Sequence, residues 1–349
     1  MSDTPENLTP EDQSPPAGSS PGLSRIVAAG VVIALIIAAP FLRDRFFPEA
    51  VYVQEIGHEL TGHRYLYDEQ FGWRNIPNWE ATTYSQKLTT NSLGMRDGEY
   101  AVQKPPKTFR ILLLGGSYTW GYGVADDEVY SAVLEEELAR AGHQIEILNT
   151  GVSGWSTDQQ LLYLDSEGFR YSPDLVLLAL NIPDTTDYNT KSVQFGLAKP
   201  LFMDEALTLA NSPVPAPGSK YPRLKSKADP VRLTGAIVDR MATLCEEHSC
   251  PLAVMKFGAF HYRQHPDFKS NQKMVSALNQ LEESVLSKLA AHSNITVLDL
   301  DAQFGDREVS FTSLMEGNHD GHWNAWGHKE VAEILRGFLS DHQWTGSPQ

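Results

Sequence analysis

Five short apolar runs, separated by helical patterns, constrain the fold of this 349-residue chain more than any other feature. The runs lie at 111–114, 145–148, 175–180, 252–255 and 295–300. Short continuous apolar runs of this kind are typical of the central strands of a parallel sheet, which are buried on both faces. The apolar stripes between and after them, at 129–138, 237–244, 274–289 and 331–339, have helical spacing. The alternation predicts an α/β fold with three α/β/α layers, in which helices cover both faces of a five-stranded parallel sheet.

The first run ends in a tight turn that carries a hydroxyl group. Phe109 to Val124 has the sequence FRILLLGGSYTWGYGV, in which two glycines break the strand directly before Ser117. This places Ser117 at the carboxyl edge of the sheet, where open α/β folds bind their ligands. By itself a Gly-Gly-Ser turn is more typical of a helix cap, so Ser117 is either a cap or a nucleophile.

The amino-terminal region indicates a membrane anchor. Residues 1–24 are rich in Pro, Ser and acidic residues, and we expect a disordered tail there. Ile26 to Leu42 are seventeen uncharged residues between Arg25 and Arg43, which predicts a transmembrane helix over 25–43. The long acidic flank before this segment does not fit a cleavable signal peptide, and the absence of an amphipathic face does not fit a buried core helix.

Two further segments lack regular patterns. Residues 44–107 contain scattered aromatic residues and turn signals, which predicts an extended arm that wraps the domain, with its aromatics as packing anchors. Residues 189–229 interrupt the strand–helix alternation with an irregular, proline-rich insertion that we expect to be a surface loop or flap. The domain itself is predicted to span 108–342.

Charge and cysteine content exclude some functions and leave one question open. The formal net charge of −16 and the absence of any Lys/Arg-rich block exclude a nucleic-acid partner. Cys245 and Cys250 have no second cysteine pair or suitably spaced histidine, so they do not match zinc patterns. They are either two buried thiols or a disulfide that closes a helix-to-strand turn, and a disulfide would require an oxidising compartment.

Four polar stretches follow the predicted strands or precede the last helix. They are Gly115-Gly116-Ser117, Asn149 to Gly154, Asn181 to Asp184 and Asp320 to Asn324. Together they resemble the SGNH (GDSL-like) hydrolase superfamily, and the resemblance covers about Phe109 to His342. It implies a flavodoxin-like five-stranded parallel sheet and a serine hydrolase acting on ester bonds without metal or cofactor. Ser117 would be the nucleophile, Asp320 and His322 its partners, and Gly154 part of the oxyanion hole.

The chemistry agrees with these assignments. A serine hydroxyl becomes nucleophilic when a base removes its proton. An imidazole with a pKa of about 6.5 can remove this proton at neutral pH. Asp320 would hold the imidazole of His322 in the right tautomer. The N–H groups of Ser117 and Gly154 would stabilise the tetrahedral oxyanion.

The sequence departs from the family pattern in three places. Gly-Gly-Ser replaces Gly-Asp-Ser, and Asp-x-His replaces the usual Asp-x-x-His. An ungapped alignment of the third block puts Pro183 where the family has an asparagine, and proline has neither an amide side chain nor an N–H. Asn181 is therefore the candidate for the remaining oxyanion donor. Without such a donor the activity would be weak, or the protein would bind its ligand without cleaving it.

The sequence also allows other interpretations of residues near the site. A metal cluster of His319, Asp320, His322 and His328 lacks a helical i,i+4 pair and leaves Ser117 unexplained. Aromatic residues near the site could either stack on a sugar or acyl group or pack in the core; they are Trp120, Tyr122, Trp155 and Trp323.

The sequence is best explained as a membrane-anchored serine esterase that cleaves an oxygen ester through an acyl-Ser117 intermediate. O-acetyl groups of a cell-envelope glycan are the favoured substrate, and a lipid or small acyl ester is the next. An O-acyltransferase would use the same residues, and a glycan-binding pseudoenzyme is the alternative that Pro183 suggests. The single extra positive charge after the span favours a cytoplasmic domain, but the family expectation and a possible disulfide favour an extracytoplasmic one, which we predict.

Overall fold

The computed structural model describes residues 52–53, 65–83, 86–264, 271–292, 294–317 and 321–346. The predicted tail and membrane span lie outside these residues, and so does Asp320. Within the described residues no helix is both long and apolar enough to span a bilayer.

A five-stranded parallel sheet forms the centre of the domain. Its strands are β1 (Phe109–Leu114), β2 (Ile145–Asn149), β3 (Leu175–Asn181), β4 (Leu252–Phe257) and β5 (Ile295–Asp299). They lie in the order β2-β1-β3-β4-β5 and pair in parallel throughout. The predicted flavodoxin-like sheet is therefore confirmed, with each strand within two residues of its apolar run.

Helices cover both faces of this sheet. They are α1 (Ser117–Trp120), α2 (Tyr130–Arg140), α3 (Thr157–Ser166), α4 (Ile182–Tyr188), α5 (Pro230–Glu247), α6 (Ala259–Gln264), α7 (Gln272–Ala290), α8 (Leu300–Asp306), α9 (Phe311–Met315) and α10 (Ala325–Asp341). Alternate strand residues face opposite layers: Leu112 and Leu114 pack with α3, α5 and α7, whereas Ile111 and Leu113 pack with α2 and α10. This alternation follows from the two-residue period of a strand and gives the predicted α/β/α layers.

The arm before β1 is part of the folded domain. Strands Tyr65–Asp68 and Gly72–Arg74 form an antiparallel pair, and Glu80–Thr83 pairs with Gln86–Thr89. Phe71 and Trp73 are fully buried against the domain, so the predicted role of arm aromatics as packing anchors is confirmed for them.

The insertion after β3 differs from its prediction. It contains two small hairpins, Val193–Gln194 with Leu197–Ala198 and Leu201–Phe202 with Leu209–Ala210. Lys199, Leu201 and Phe202 are buried, so the prediction of a surface loop is wrong for this part. Proline content marks irregular backbone, but it does not indicate whether apolar residues between the prolines pack on the core.

The two cysteines are free and buried. Cys245 lies near the end of α5, Cys250 lies just before β4, and the Cys250 N–H donates to the Cys245 carbonyl at 2.9 Å. Burial raises the pKa of both thiols, that of Cys250 to about 12. Of the two alternatives the structure contains the buried thiols and not the disulfide.

Candidate active site

Ser117 stands on the tight turn between β1 and α1. A Cβ atom on Gly115 would lie 2.0 Å from the Thr119 Oγ1 atom, so no side chain fits at that position. The chain therefore turns tightly at Gly115, and α1 begins two residues later. Ser117, the first residue of α1, is half-buried. The turn lies at the switch point of the sheet, where β2 and β3 lie on opposite sides of β1 and ligands bind in this fold.

His322 lies beside Ser117, although 205 positions separate them in the sequence. The His322 Nε2 atom is 2.7 Å from the Ser117 Oγ atom, which is hydrogen-bonding distance for proton transfer. The Tyr122 ring stacks on the imidazole with centroids 5.2 Å apart, and the Tyr118 ring lies 4.6 Å away. The Tyr118 hydroxyl also donates to the Gly321 carbonyl at 3.0 Å, so this bond and the two ring contacts hold Gly321 and His322 in place.

Gly154 and Asn181 line the same cavity as Ser117 and His322. The cavity has a volume of about 120 Å³. Gly154 has a φ of +77°, a left-handed conformation that favours glycine. The structure thus brings together four of the five predicted site residues, and the fifth, Asp320, lies outside the described residues.

The arm holds the loop that contains Gly154. The Trp73 indole N–H donates to the Ser153 carbonyl at 3.0 Å, and the Trp155 indole N–H donates back to the Trp73 carbonyl at 2.8 Å. The Asn75 side-chain amide donates to the Gly151 carbonyl at 3.0 Å. These buried bonds on both sides of Gly154 fix the direction of its backbone N–H.

Asn181 and Pro183 occupy different positions at the end of β3. Asn181 is the last residue of the strand, and its Nδ2 atom donates to Asp184 Oδ2 at 3.0 Å. Pro183 lies in the first turn of α4, where a missing N–H costs no helical hydrogen bond. Asn181, and not Pro183, is among the described residues that line the cavity.

Comparison with known proteins identifies the family. Residues 113–330 match the model of the GDSL-like Lipase/Acylhydrolase family, which is more than half of the chain. The chain belongs to the GDSL-like lipase/acylhydrolase family. It is therefore a hydrolase of ester bonds, and the predicted relationship to the SGNH superfamily is confirmed.

The solved structures to which the chain is similar are distant in sequence. The lipase/acylhydrolase from Enterococcus faecalis is 15% identical, with a TM-score of 0.43 over 69% of this chain and 98% of that chain. The Clostridium thermocellum family 3 carbohydrate esterase is 17% identical, with a TM-score of 0.42 over 68% of this chain and 100% of that chain. No curated protein matches the sequence significantly. At these identities and scores the neighbours do not assign a substrate.

In this acylhydrolase a buried arginine of the arm holds the loop after Ser117. The Arg96 guanidinium donates to the carbonyls of Trp120, Gly121 and Val124 and pairs with Asp126, where Nε lies 2.8 Å from Oδ1. This loop includes Tyr122, the ring that stacks on His322. Arg96 thereby supports the geometry of the imidazole without contacting it.

Several residues that line the acylhydrolase cavity were missed by sequence reasoning. They are Tyr118, Gln160, Tyr188, Phe195 and Phe257. Tyr118 could have been found because it follows Ser117 directly, whereas Phe195 belongs to the insertion that was expected to be peripheral. Of the four aromatics named from the sequence, Trp155 lines the cavity and Tyr122 stacks on His322, but Trp120 and Trp323 are buried packing residues.

Of the alternative histidine metal cluster, the structure describes His322 and His328, and neither is placed as a metal ligand. His322 Nε2 bonds to Ser117, and His328 is fully buried with its Nδ1 atom accepting the Tyr130 N–H at 3.2 Å. Among the described residues the one group with metal-type spacing is Glu282, Asp299 and Asp301. The Lys256 ammonium already lies among these carboxylates, 2.8 Å from Asp299 and 3.2 Å from Asp301.

Proposed function

We propose that this acylhydrolase is a serine esterase that removes short acyl groups, above all O-acetyl groups, from a cell-envelope glycan. The observation that carries the proposal is the 2.7 Å contact between His322 Nε2 and Ser117 Oγ inside a small cavity. A hydroxyl and an imidazole at this distance form a nucleophile and its general base.

The reaction follows from the positions of the groups. Ser117 Oγ attacks the ester carbonyl carbon while its proton moves to His322 Nε2. The N–H groups of Ser117 and Gly154 and the Asn181 amide would stabilise the oxyanion. His322 then gives the proton to the leaving alcohol as the C–O bond breaks. Water then attacks the acyl-Ser117 ester while its proton moves to His322 Nε2. His322 returns the proton to Ser117 Oγ as the acid leaves, which restores the hydroxyl. Asp320 would orient the imidazole through Nδ1.

The size of the cavity supports a short acyl group. About 120 Å³ corresponds to roughly four water molecules at about 30 Å³ each. This space encloses an acetyl group, whereas most of a long fatty-acyl chain would extend out of it. We therefore place the acyl group of the substrate in the cavity and the alcohol at its mouth.

Turnover of p-nitrophenyl acetate by the purified full-length chain tests the proposal. Replacing the nucleophile in Ser117→Ala should lower kcat by roughly 10⁴-fold or more. A fluorophosphonate probe should label the unsubstituted chain on Ser117 and leave Ser117→Ala unlabelled. Equal rates for the two proteins, without labelling, would refute the esterase mechanism. Analysis of the products with a sugar acceptor present separates hydrolysis, which yields acetate, from acyl transfer.

The pseudoenzyme alternative is tested at Asn181. One N–H of its amide donates to Asp184, and an amide has a second N–H that can donate to an oxyanion. If Asn181 supplies this donor, Asn181→Ala should lower kcat by about 10²-fold to 10³-fold. An unsubstituted chain that binds acetylated glycan and turns over no ester would instead support a binding function.

We also propose that Ile26 to Leu42 anchors the protein in a membrane, with the catalytic domain outside the cytoplasm. The length and lack of charge of this segment support the anchor, and a glycan substrate supports the orientation. A reporter that works only in the cytoplasm, fused to the carboxyl terminus of the chain, should therefore show no activity. Activity of that reporter would reverse the orientation.

A further inference from the structure

The hairpin Val193–Gln194/Leu197–Ala198 holds an exposed phenylalanine in an unfavourable backbone conformation. Phe195 is 41% exposed and has a φ of +48°, and Gly196 follows with a φ of +81°. Positive φ is rare for a bulky residue, and such strain is found preferentially at functional sites. A polar residue or glycine would suit both the turn and the solvent better, so the turn itself does not explain the choice of phenylalanine.

The strained ring lies at the active site. Phe195 and Tyr188 line the same cavity as Ser117 and His322. Their two rings meet edge to face, with centroids 5.7 Å apart and planes at 74°. They form an aromatic wall beside the nucleophile, and Phe195 has enough exposed surface to contact a bound molecule.

The hairpin is anchored to a buried polar network. The Lys199 ammonium pairs with Asp158 in the first turn of α3, and both side chains are fully buried. The Asn189 amide donates to Thr157 Oγ1 at 2.7 Å and to Thr234 Oγ1 at 3.0 Å. Buried groups that are paired in this way resist displacement, so the aromatic wall has a rigid base.

The cavity also has unused hydrogen-bond acceptors. Within the described part of the chain, the buried Gln160 Oε1 and Asn181 Oδ1 atoms have no hydrogen-bond partner. Both residues line the cavity. Buried polar atoms normally have a partner, so a ligand that brings hydroxyl donors would satisfy them.

We infer that Phe195 and Tyr188 stack on a pyranose ring of the leaving alcohol at the mouth of the cavity, while one hydroxyl group of this ring reaches inside and donates to the Gln160 amide oxygen. The C–H face of a pyranose is apolar and its edge carries hydroxyls, which matches an aromatic wall next to polar acceptors. A lipid alcohol would leave the acceptors unpaired. The inference rests on the proposed esterase function and goes beyond it by assigning selectivity for a sugar to Phe195.

The test compares two acetyl esters on the full-length chain, acetylated xylo-oligosaccharides and ethyl acetate, which has no ring. The readout is the ratio of kcat/KM for the sugar ester to kcat/KM for ethyl acetate. Loss of one aromatic contact in Phe195→Ala should lower this ratio roughly tenfold. Phe195→Trp should retain it. Leu209→Ala is the matched control, because Leu209 is also 41% exposed, lies in the next hairpin and does not line the cavity.

A binding measurement keeps the inference separate from the proposed function. In a Ser117→Ala background the acetylated oligosaccharide stays intact, and its Kd is measured by titration calorimetry. Adding Phe195→Ala should weaken binding roughly tenfold, and adding Leu209→Ala should not. If Phe195→Ala leaves both the kcat/KM ratio and the Kd unchanged, the inference is wrong. Absence of turnover in the unsubstituted chain together with Phe195-dependent binding would refute the esterase and retain the sugar site.

Discussion

Replacing Arg96 with methionine should lower kcat, whereas the same change at Arg110 should not. The two arginines have matched surroundings. Arg96 donates to three backbone carbonyls and pairs with Asp126. Arg110 likewise donates to three carbonyls, of Ala101, Val102 and Tyr171, and pairs with Glu146. Both guanidinium groups are buried, but Arg96 lies at the carboxyl edge of the sheet and Arg110 near the start of β1.

Both variants should lose several kcal/mol of stability, Arg110→Met somewhat more than Arg96→Met. Removing one partner of a buried ion pair costs about 3–5 kcal/mol because the remaining charge is left without compensation. The Asp126 side chain is 35% exposed and can be solvated again, so we expect about 3 kcal/mol for Arg96→Met. Glu146 is 17% exposed, which puts Arg110→Met toward the upper part of that range.

The effects on catalysis should differ. Without Arg96 the loop from Trp120 to Asp126 loses its common donor, and the Tyr122 ring that stacks on His322 is no longer fixed. A displacement of catalytic groups by about 1 Å can cost about 10²-fold in rate, which is the fall in kcat that we expect. KM should change little, because Arg96 does not line the cavity.

Urea unfolding and steady-state kinetics on p-nitrophenyl acetate provide both measurements. Arg96→Lys should recover part of kcat, since an ammonium retains the charge and up to three of the donors. Equal kcat values for Arg96→Met and Arg110→Met, at comparable stability, would refute the positioning role of Arg96.

Three further predictions concern pH and acyl-group size. Burial, together with the Asp97 charge, raises the pKa of Glu135 from 4.5 to about 7, so the protein loses stability as the pH rises between these values. Glu135→Gln should therefore regain up to about 3 kcal/mol of the free energy of unfolding at pH 8. Urea unfolding at pH 5 and pH 8 measures this gain. Burial lowers the pKa of His328 from 6.5 to about 3, so the protein loses stability as the pH falls through this range. His328→Asn should reduce this loss. An unchanged dependence of stability on acidic pH would contradict the prediction. Ala179 lines the cavity, so Ala179→Val should lower kcat/KM for butyryl esters more than for acetyl esters; equal losses would place the acyl group elsewhere.

The sheet could be predicted from the sequence because strands buried on both faces need continuous apolar runs. Helix α3 was not predicted, since its first turn is polar. The four residues from Thr157 to Gln160 are all buried, and side-chain hydrogen bonds hold Thr157, Asp158 and Gln159. Its capping box, Ser156 with Gln159, is the local signal that could have located its start. Burial that depends on polar partners elsewhere in the chain, such as Lys199 for Asp158, leaves no trace in hydrophobic periodicity.

The sequence predicted the reacting residues of the candidate site but not the other residues that line its cavity. Ser117, Gly154 and His322 belong to short blocks whose residue types are dictated by the reaction, so they could be named although they are far apart in sequence. Phe195 lines the cavity because the insertion folds back onto α3, the helix that carries Gln160. Their residue types do not indicate a role until tertiary structure places them beside Ser117.

The two buried thiols give this protein an internal reporter of chain opening. Cys245 and Cys250 are its only cysteines, and their raised pKa keeps both in the unreactive protonated form at neutral pH. Because they border α5 and β4, a thiol reagent reaches them when the centre of the domain opens and not when its ends fray. A cysteine introduced at an exposed position such as Leu209 would therefore react alone, and the hairpins of the insertion can be labelled with a single dye while the native thiols stay in place.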